Sequence, residues 1–275
     1  MTEPPPARPH KSPAEAITTA RRHTARLALF LAALAVLALG FAPFGVREEM
    51  FDLDYAVGTL ATGWAPNLAL IAVVLGVLAF LAAIAVPPRR DRISSLLAVA
   101  LGAGVVAISG QVKSIAAANP PIHDVATDWT EPMLFGPKVF AARGEGANAI
   151  EADPKVQPQP QAPNLTGTRV AEVNARTCPG AVPVILTGTV GDAYAKAKAA
   201  LVRERATIVT DNPAGGRLEA LVVTRFLKLP GDVLIRVKPE GAGARVDIRS
   251  SSRTGIADLG ENCRRVSRLR TAIAR

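Results

Sequence analysis

Charge is missing from long stretches of this 275-residue chain: no Asp, Glu, Lys or Arg stands in residues 27–46, 56–88 or 93–112. A helix needs about 20 apolar residues to cross about 30 Å of hydrocarbon, and each stretch reaches that length. Aromatic residues make up only 4% of the chain and there are only two cysteines, against 49% hydrophobic residues. So few cysteines exclude a disulfide-rich miniprotein, and so apolar a composition excludes a disordered polyampholyte. Because the apolar residues are clumped, a single soluble domain is excluded as well.

Three spans are expected, at about 27–46, 66–86 and 93–110, within a membrane region covering 27–112. Residues 1–26 form a leader with Pro4-Pro5-Pro6 that is expected to be disordered. Signal peptides have short basic leaders and a small-residue cleavage site. Here the leader is long and the first run ends in Phe44-Gly45-Val46-Arg47, so the first span reads as a retained anchor. Basic residues favour the cytoplasmic side. They cluster in the leader (Arg8, Lys11, Arg21, Arg22, Arg26) and in the second loop (Arg89, Arg90, Arg92). The first loop has Arg47 against Glu48, Glu49, Asp52 and Asp54. The N-terminus is then cytoplasmic, and everything after about residue 112 lies outside. The Ala-, Arg- and Gly-rich composition points to a bacterial inner membrane and a periplasmic domain. Mid-span ionisable residues, which mark ion paths, are absent, and this argues against transport. Small residues recur four apart in the third span (Ala98 and Gly102, Ala103 and Ala107), a spacing that lets helices approach closely.

Residues 113–140 join the membrane region to a stretch rich in Pro, Gln and Gly (141–167). With Gln157-Pro-Gln-Pro-Gln-Ala-Pro163, that stretch reads as a linker or long surface loop. From 168 to 275 the patterning is α+β. Val182–Leu186 reads as a strand and Asp192–Arg205 as a helix. Strands follow at 207–209, 218–226, 233–238 and 245–249, the last three with period-two alternation and short Gly-bearing turns. This predicts an antiparallel four-stranded meander with one wet face. Leu259, Cys263, Val266, Leu269 and Ile273 form one helical stripe, so a C-terminal helix closes the apolar face.

Ile122-His-Asp-Val-Ala-Thr-Asp128 resembles the opening motif of a bacterial family known as domain of unknown function 1499. Arg217-Leu-Glu-Ala220, Gly231-Asp-Val-Leu-Ile-Arg-Val237, Arg245-Val-Asp-Ile-Arg249 through Gly255, and Asp258-Leu-Gly-Glu-Asn262 are similar to the rest of it. The resemblance covers roughly 119–275 and implies a membrane anchor or export signal ahead of the domain. It implies no activity. The chain departs from the pattern at Gly231, where the family tends to have an acidic residue before Asp232.

Three sets of residues carry candidate chemistry. His123 with Asp124 or Asp128 could serve as a base with its orienting carboxylate, the arrangement of a hydrolase. A metal centre is not expected, because zinc wants three or four ligands. On the sheet, a turn at Pro239–Ala244 sets Lys238 against Arg245, Arg236 against Asp247 and Leu234 against Arg249. Arg225, Arg236 and Arg249, with Asp247 and Arg253, could then recognise an anionic ligand, since guanidinium suits carboxylate and phosphate. The other reading is a solvated face whose ion pairs keep the register. Ser250–Ser252 have no local base and read as the approach to a turn. Cys178 and Cys263 could form a disulfide closing a loop of about 85 residues. No cofactor is expected. Nucleic acid is not an expected partner outside the membrane, so the last helix's arginines suit anionic lipid or envelope polymers. The sequence thus favours a membrane-anchored periplasmic binding or scaffold module for an anionic lipid, envelope component or partner protein. A hydrolase using His123 and a subunit of a membrane complex are the alternatives.

Overall fold

The computed structural model describes residues 13–159 and 162–275. Expectations for the leader's first twelve residues, with Arg8, Lys11 and the three prolines, and for Pro160 and Gln161 lie outside them. The chain divides into two compact units. One contains the described residues up to 43 together with 55–113, and the other contains 44–54 together with the described residues from 114 on.

In the first unit, helix α1 (Pro13–Arg47) begins inside the stretch expected to be an irregular leader. A π-helical segment (Tyr55–Trp64) runs into α2 (Ala65–Ala85), which carries Pro66 in its first turn, and α3 (Arg92–Ala118) follows. These are three helices long and apolar enough to cross a membrane. Polar residues before Leu27 extend the first helix beyond its expected span, residues 111–118 extend the third, and the uncharged segment from Tyr55 precedes the second. Alanine and glycine bring the helices together. A Cβ on Gly102 would lie 2.7 Å from the Val73 side chain and 2.9 Å from the Ala69 carbonyl. Of the small pairs in the third helix, Ala98 and Gly102 are buried, whereas Ala103 and Ala107 are exposed. Buried Arg21 donates to Asp91 (3.0 Å) and to the carbonyls of Val86 and Pro88 (2.7 Å each), clamping the turn between α2 and α3.

The second unit is the α+β domain. Its elements are β1 (Asp124–Ala126), α4 (Pro137–Ala141), α5 (Val170–Thr177), β2 (Val184–Thr187), α6 (Val190–Arg203), β3 (Thr207–Asn212), β4 (Arg217–Val223), β5 (Pro230–Glu240), β6 (Gly243–Ser252) and α7 (Glu261–Ala274). Among the described residues the sheet has six strands, all paired antiparallel. β3 to β6 form the expected four-stranded meander, and β1 and β2 share the outer edge of β6. Sequence patterning missed β1 because three residues are too few to show a period, and it missed the two-turn α5. The β5–β6 register pairs Lys238 with Arg245, Arg236 with Asp247 and Leu234 with Arg249, the pairing read from the alternation. The turn is tighter than expected. Strand pairing continues to Glu240 and Gly243, and Gly241 supplies the left-handed conformation (φ 55°) that a two-residue connection needs.

One face of the sheet is apolar. Leu218, Val233, Ile235, Val246 and Ile248 pack against Ala193, Ala197 and Leu201 of α6 and against Val266, Leu269 and Ile273 of α7. Helix α6 starts at a capping box in which Thr189 and Asp192 bond reciprocally. Ser250–Ser252 lie within β6 rather than in a turn, because pairing with β5 and β1 continues through them. The expectation of a wet opposite face is corrected. Asp232, Leu234, Asp247 and Arg249 are buried there, beneath residues 127–153. Of the stretch expected to be a linker or surface loop, the described residues are mostly irregular, yet Arg143 and Val156 are buried.

Cys178, at the C-terminal end of α5, and Cys263 in α7 are joined by a disulfide with a Cα–Cα distance of 5.8 Å. Cross-linking residues 85 apart stabilises a fold by about 4 kcal/mol, mainly by restricting the unfolded chain. Reducing the full-length protein in detergent is therefore expected to lower its thermal midpoint by roughly 10 °C. An unchanged midpoint with both thiols titratable would refute this role.

Candidate functional site

The strap formed by residues 127–153 has almost no ladder of its own, so its backbone carbonyls need other partners. Arginines supply them. Arg249 donates to the carbonyls of Met133 and Glu151 (2.8 Å each), and Arg236 donates to that of Glu131 (3.1 Å). Arg217 takes Leu134, Arg253 takes Ala142 and Arg143 takes Asn148. Five guanidinium groups thus cap six strap carbonyls.

Carboxylates hold these arginines in place. Asp124 binds Arg249 through Nε (3.1 Å) and Nη2, and Arg249 also stacks 5.2 Å from the Trp129 ring centre. Asp128 receives Arg236 (3.0 Å) and Arg245 (2.9 Å), and Asp247 receives the same two arginines at 2.9 Å each. Asp232 holds Arg143 and Arg253. Glu219 binds Arg217 (2.6 Å), the Thr210 hydroxyl and the Gly136 amide. Burial pushes the Asp128 carboxyl up, but hydrogen bonds from Thr130 and Glu131 and the charge of Arg245 outweigh it, so its pKa lies below the usual 3.8. Glu219 is likewise lowered, with burial opposed by Thr210, Arg217 and Gly136.

The structure brings Asp124, Asp128, Arg236, Asp247, Arg249 and Arg253 onto this one covered face. Arg225 does not join them. The strand ends at Val223, where the Thr224 hydroxyl accepts from the Leu229 amide (2.9 Å) and turns the chain, so Arg225 stands exposed in the hairpin loop. Alternation that ran on past the last paired residue had placed it on the strand. His123 precedes β1 and hydrogen-bonds the Ile256 backbone; burial lowers its pKa, opposed by Asp124 and Asp258. Its intended orienters are engaged elsewhere, Asp124 by Arg249 and Asp128 by Arg236 and Arg245. Ser250 is tied to Asn262 (2.7 Å) and receives Arg265 (3.0 Å). Among the described residues no group of three or more His, Cys, Asp or Glu could hold a metal. Sequence reading missed Arg143, Trp129 and Asn174, whose amide oxygen receives both the Ala126 amide and the Trp129 indole (2.9 Å each).

A cleft of about 610 Å³ opens elsewhere in the domain, lined by six arginines and three acids. Its acids are occupied. Glu261 meets Arg264 (3.2 Å), Arg268 (3.1 Å) and Arg265 (3.7 Å), and Glu204 meets Arg268 (3.0 Å). Asp258 accepts from the amides of Gly260 and Asn262 at the start of α7 (2.8 Å each), and burial raises its pKa. Arg203, Arg205 and Arg225 are exposed at the cleft, and their side chains make no hydrogen bond or ion pair with any described residue. Between them the walls are apolar, with Leu53, Val222, Phe226 and Leu229. A Cβ at Gly231 would lie 2.9 Å from the Ser251 carbonyl oxygen, so a larger residue at this position would force the paired strands to shift.

These features define the class, an antiparallel α+β domain joined to three apolar helices. Residues 155–273 match the family described as protein of unknown function (DUF1499). The motif at 122–128 precedes the matched region, yet β1 within it completes the same sheet. No curated protein and no solved structure matches the chain.

Removing one member of a buried ion pair strands the other, at a cost of about 3–5 kcal/mol. Arg249→Ala is expected to destabilise the domain by that amount in denaturant titration; a loss below about 1 kcal/mol would show that the strap does not depend on it. Acid should act in two windows. His123 has a lowered folded pKa, so its contribution is lost as pH falls below the ordinary 6.5. Asp128 and Glu219 also have lowered folded values, and theirs is lost below about 4. The thermal midpoint should therefore fall in two steps, with His123→Gln removing the upper step and Asp128→Asn reducing the lower one.

Proposed function

We propose that this protein is a membrane-anchored binding module whose extracytoplasmic domain takes an anionic amphiphile in the arginine-lined cleft. The observation that carries this reading is the contrast between two sets of arginines. Those on the sheet face are consumed by internal carboxylates and strap carbonyls, whereas Arg203, Arg205 and Arg225 have no internal partner and border a cavity with apolar walls. Unpaired guanidinium groups suit phosphate or carboxylate, and the apolar walls suit a hydrocarbon portion. The proposed ligand site is then the cleft rather than the Arg236/Arg249 face, and Arg225, expected on that face, borders the cleft instead.

Three apolar helices support the anchoring. The excess of basic residues at Arg89, Arg90 and Arg92 and in the leader supports a cytoplasmic N-terminus and a domain outside. The Cys178–Cys263 bond supports the same orientation, because disulfides persist in oxidising compartments such as a periplasm.

The test is native mass spectrometry of the gently extracted full-length protein, followed by titration with phosphatidylglycerol and, separately, with inorganic phosphate. The triple substitution Arg203→Ala, Arg205→Ala, Arg225→Ala is expected to weaken amphiphile binding at least about tenfold, since charged hydrogen bonds contribute roughly 1.5–3 kcal/mol each. Its thermal midpoint should not change, because none of the three has an internal partner to lose. Equal binding by the variant would overturn the assignment of the cleft.

A further inference from the structure

We infer that the tip of the β4–β5 hairpin, residues 223–229, is a lipid-contacting loop that seats the domain on the surface of an anionic bilayer. This rests on the membrane anchoring proposed above and goes beyond the cleft. The loop is rigid at its base. The Thr224 amide donates to the Leu229 carbonyl (3.0 Å), the Lys228 amide to the Thr224 carbonyl (3.2 Å), and the Leu229 amide to the Thr224 hydroxyl (2.9 Å). A tip held this way keeps its side chains outward. Phe226 is 71% exposed, more than any other large hydrophobic residue among those described in this unit, and Val223 is 58% exposed.

The charges beside these apolar groups identify the occupant. Arg225 and Lys228 flank Phe226, both exposed, and their side chains make no hydrogen bond or ion pair with any described residue. From Val223 to Gly231 the sequence contains no acid. An aromatic point between basic side chains is the composition of segments that lie in the headgroup region of anionic membranes. A protein partner would leave two cations needing matching acids, whereas lipid phosphates supply them at the depth where the arginine and lysine heads end. Continuity points the same way. Leu53 lines the cleft that Arg225 and Phe226 also line, and Asp54 accepts a hydrogen bond from the Ile256 amide (3.1 Å). The next residue in sequence, Tyr55, opens the second apolar helix.

The disulfide makes a direct test simple, because no described cysteine is free. The full-length Phe226→Cys protein is labelled with an environment-sensitive fluorophore and placed in nanodiscs of phosphatidylglycerol and phosphatidylethanolamine carrying acyl-chain spin labels. Ile185→Cys is the comparison; Ile185 is 60% exposed and pairs with Arg245, at the end of β6 away from Ser252. The label at 226 is expected to shift to the blue and to lose more than about half its emission to spin labels at a depth of roughly 5–10 Å, whereas the label at 185 does neither. Substituting Arg225 and Lys228 by Ala in the labelled protein should reduce the quenching. A label at 226 as water-exposed and unquenched as that at 185 overturns the inference. So does shielding that appears only as protein concentration rises, which would mark a second copy as the occupant. Failure of the chain to enter nanodiscs would overturn the anchoring itself, whereas entry with an unquenched label overturns only the docking. Quenching that survives in an Arg203→Ala, Arg205→Ala variant, which keeps both loop cations, after its amphiphile is lost separates the loop from the cleft.

Discussion

The buried pair between Arg249 and Asp124 is the contact on which the covered face of the sheet depends. Arg249 is 1% exposed, yet each of its nitrogens has an acceptor. From one position on β6 it holds β1 through Asp124 and both ends of the strap through Met133 and Glu151. Taking such charges out of water is costly, and good geometry with saturated hydrogen bonding is what makes the arrangement tolerable. An apolar cap would avoid the cost of burial but would leave the strap carbonyls without donors. Irregular backbone beneath the surface cannot satisfy itself, and the planar five-donor guanidinium is the side chain best suited to serve a carboxylate and a carbonyl together.

The two faces of the sheet are therefore held by different physics. On the helix side Val, Ile, Leu and Ala dominate, with one buried polar cluster of Ser250, Asn262 and Arg265 between β6 and α7, and the disulfide ties α5 to α7 across that layer. On the strap side an ordered set of ion pairs surrounds a small apolar cluster of Met133, Phe135, Val139 and Leu234. Apolar packing is non-directional, whereas each guanidinium specifies an orientation, so the second face can position a segment that has no regular structure.

This division explains what could be read from the sequence. Alternation in β5 and β6 depends only on side-chain period and a short glycine turn, so their register was legible to the residue. The cover over their polar side was not, because the strap's contribution is made by backbone carbonyls, which carry no side-chain signature. A row of charged residues looks the same in sequence whether it meets water or a capped strap. Arg225 shows the same limit at a strand end. The pattern Val222, Thr224, Phe226 continues the period, but the strand stops at Val223 because the Thr224 hydroxyl competes for a backbone amide. The cleft was illegible for a further reason. Its arginines come from the end of α6, a hairpin loop and α7, and only folding brings those segments together.

A net charge of +9 is therefore a poor guide to where an anion would bind. The sheet face contains most of the arginines in the recognisable motifs, and nearly all of their donors are spent on internal acceptors. Recruiting Arg236 or Arg249 to a ligand would require breaking contacts with Asp128, Asp247 or Asp124 first, and the ligand would have to supply that cost. Arg203, Arg205 and Arg225 carry no such debt, and neither does Lys228. What separates a structural arginine from one available for binding is its pairing in the fold, and that criterion is why the proposed binding surface is the cleft with the hairpin tip beside it rather than the sheet face.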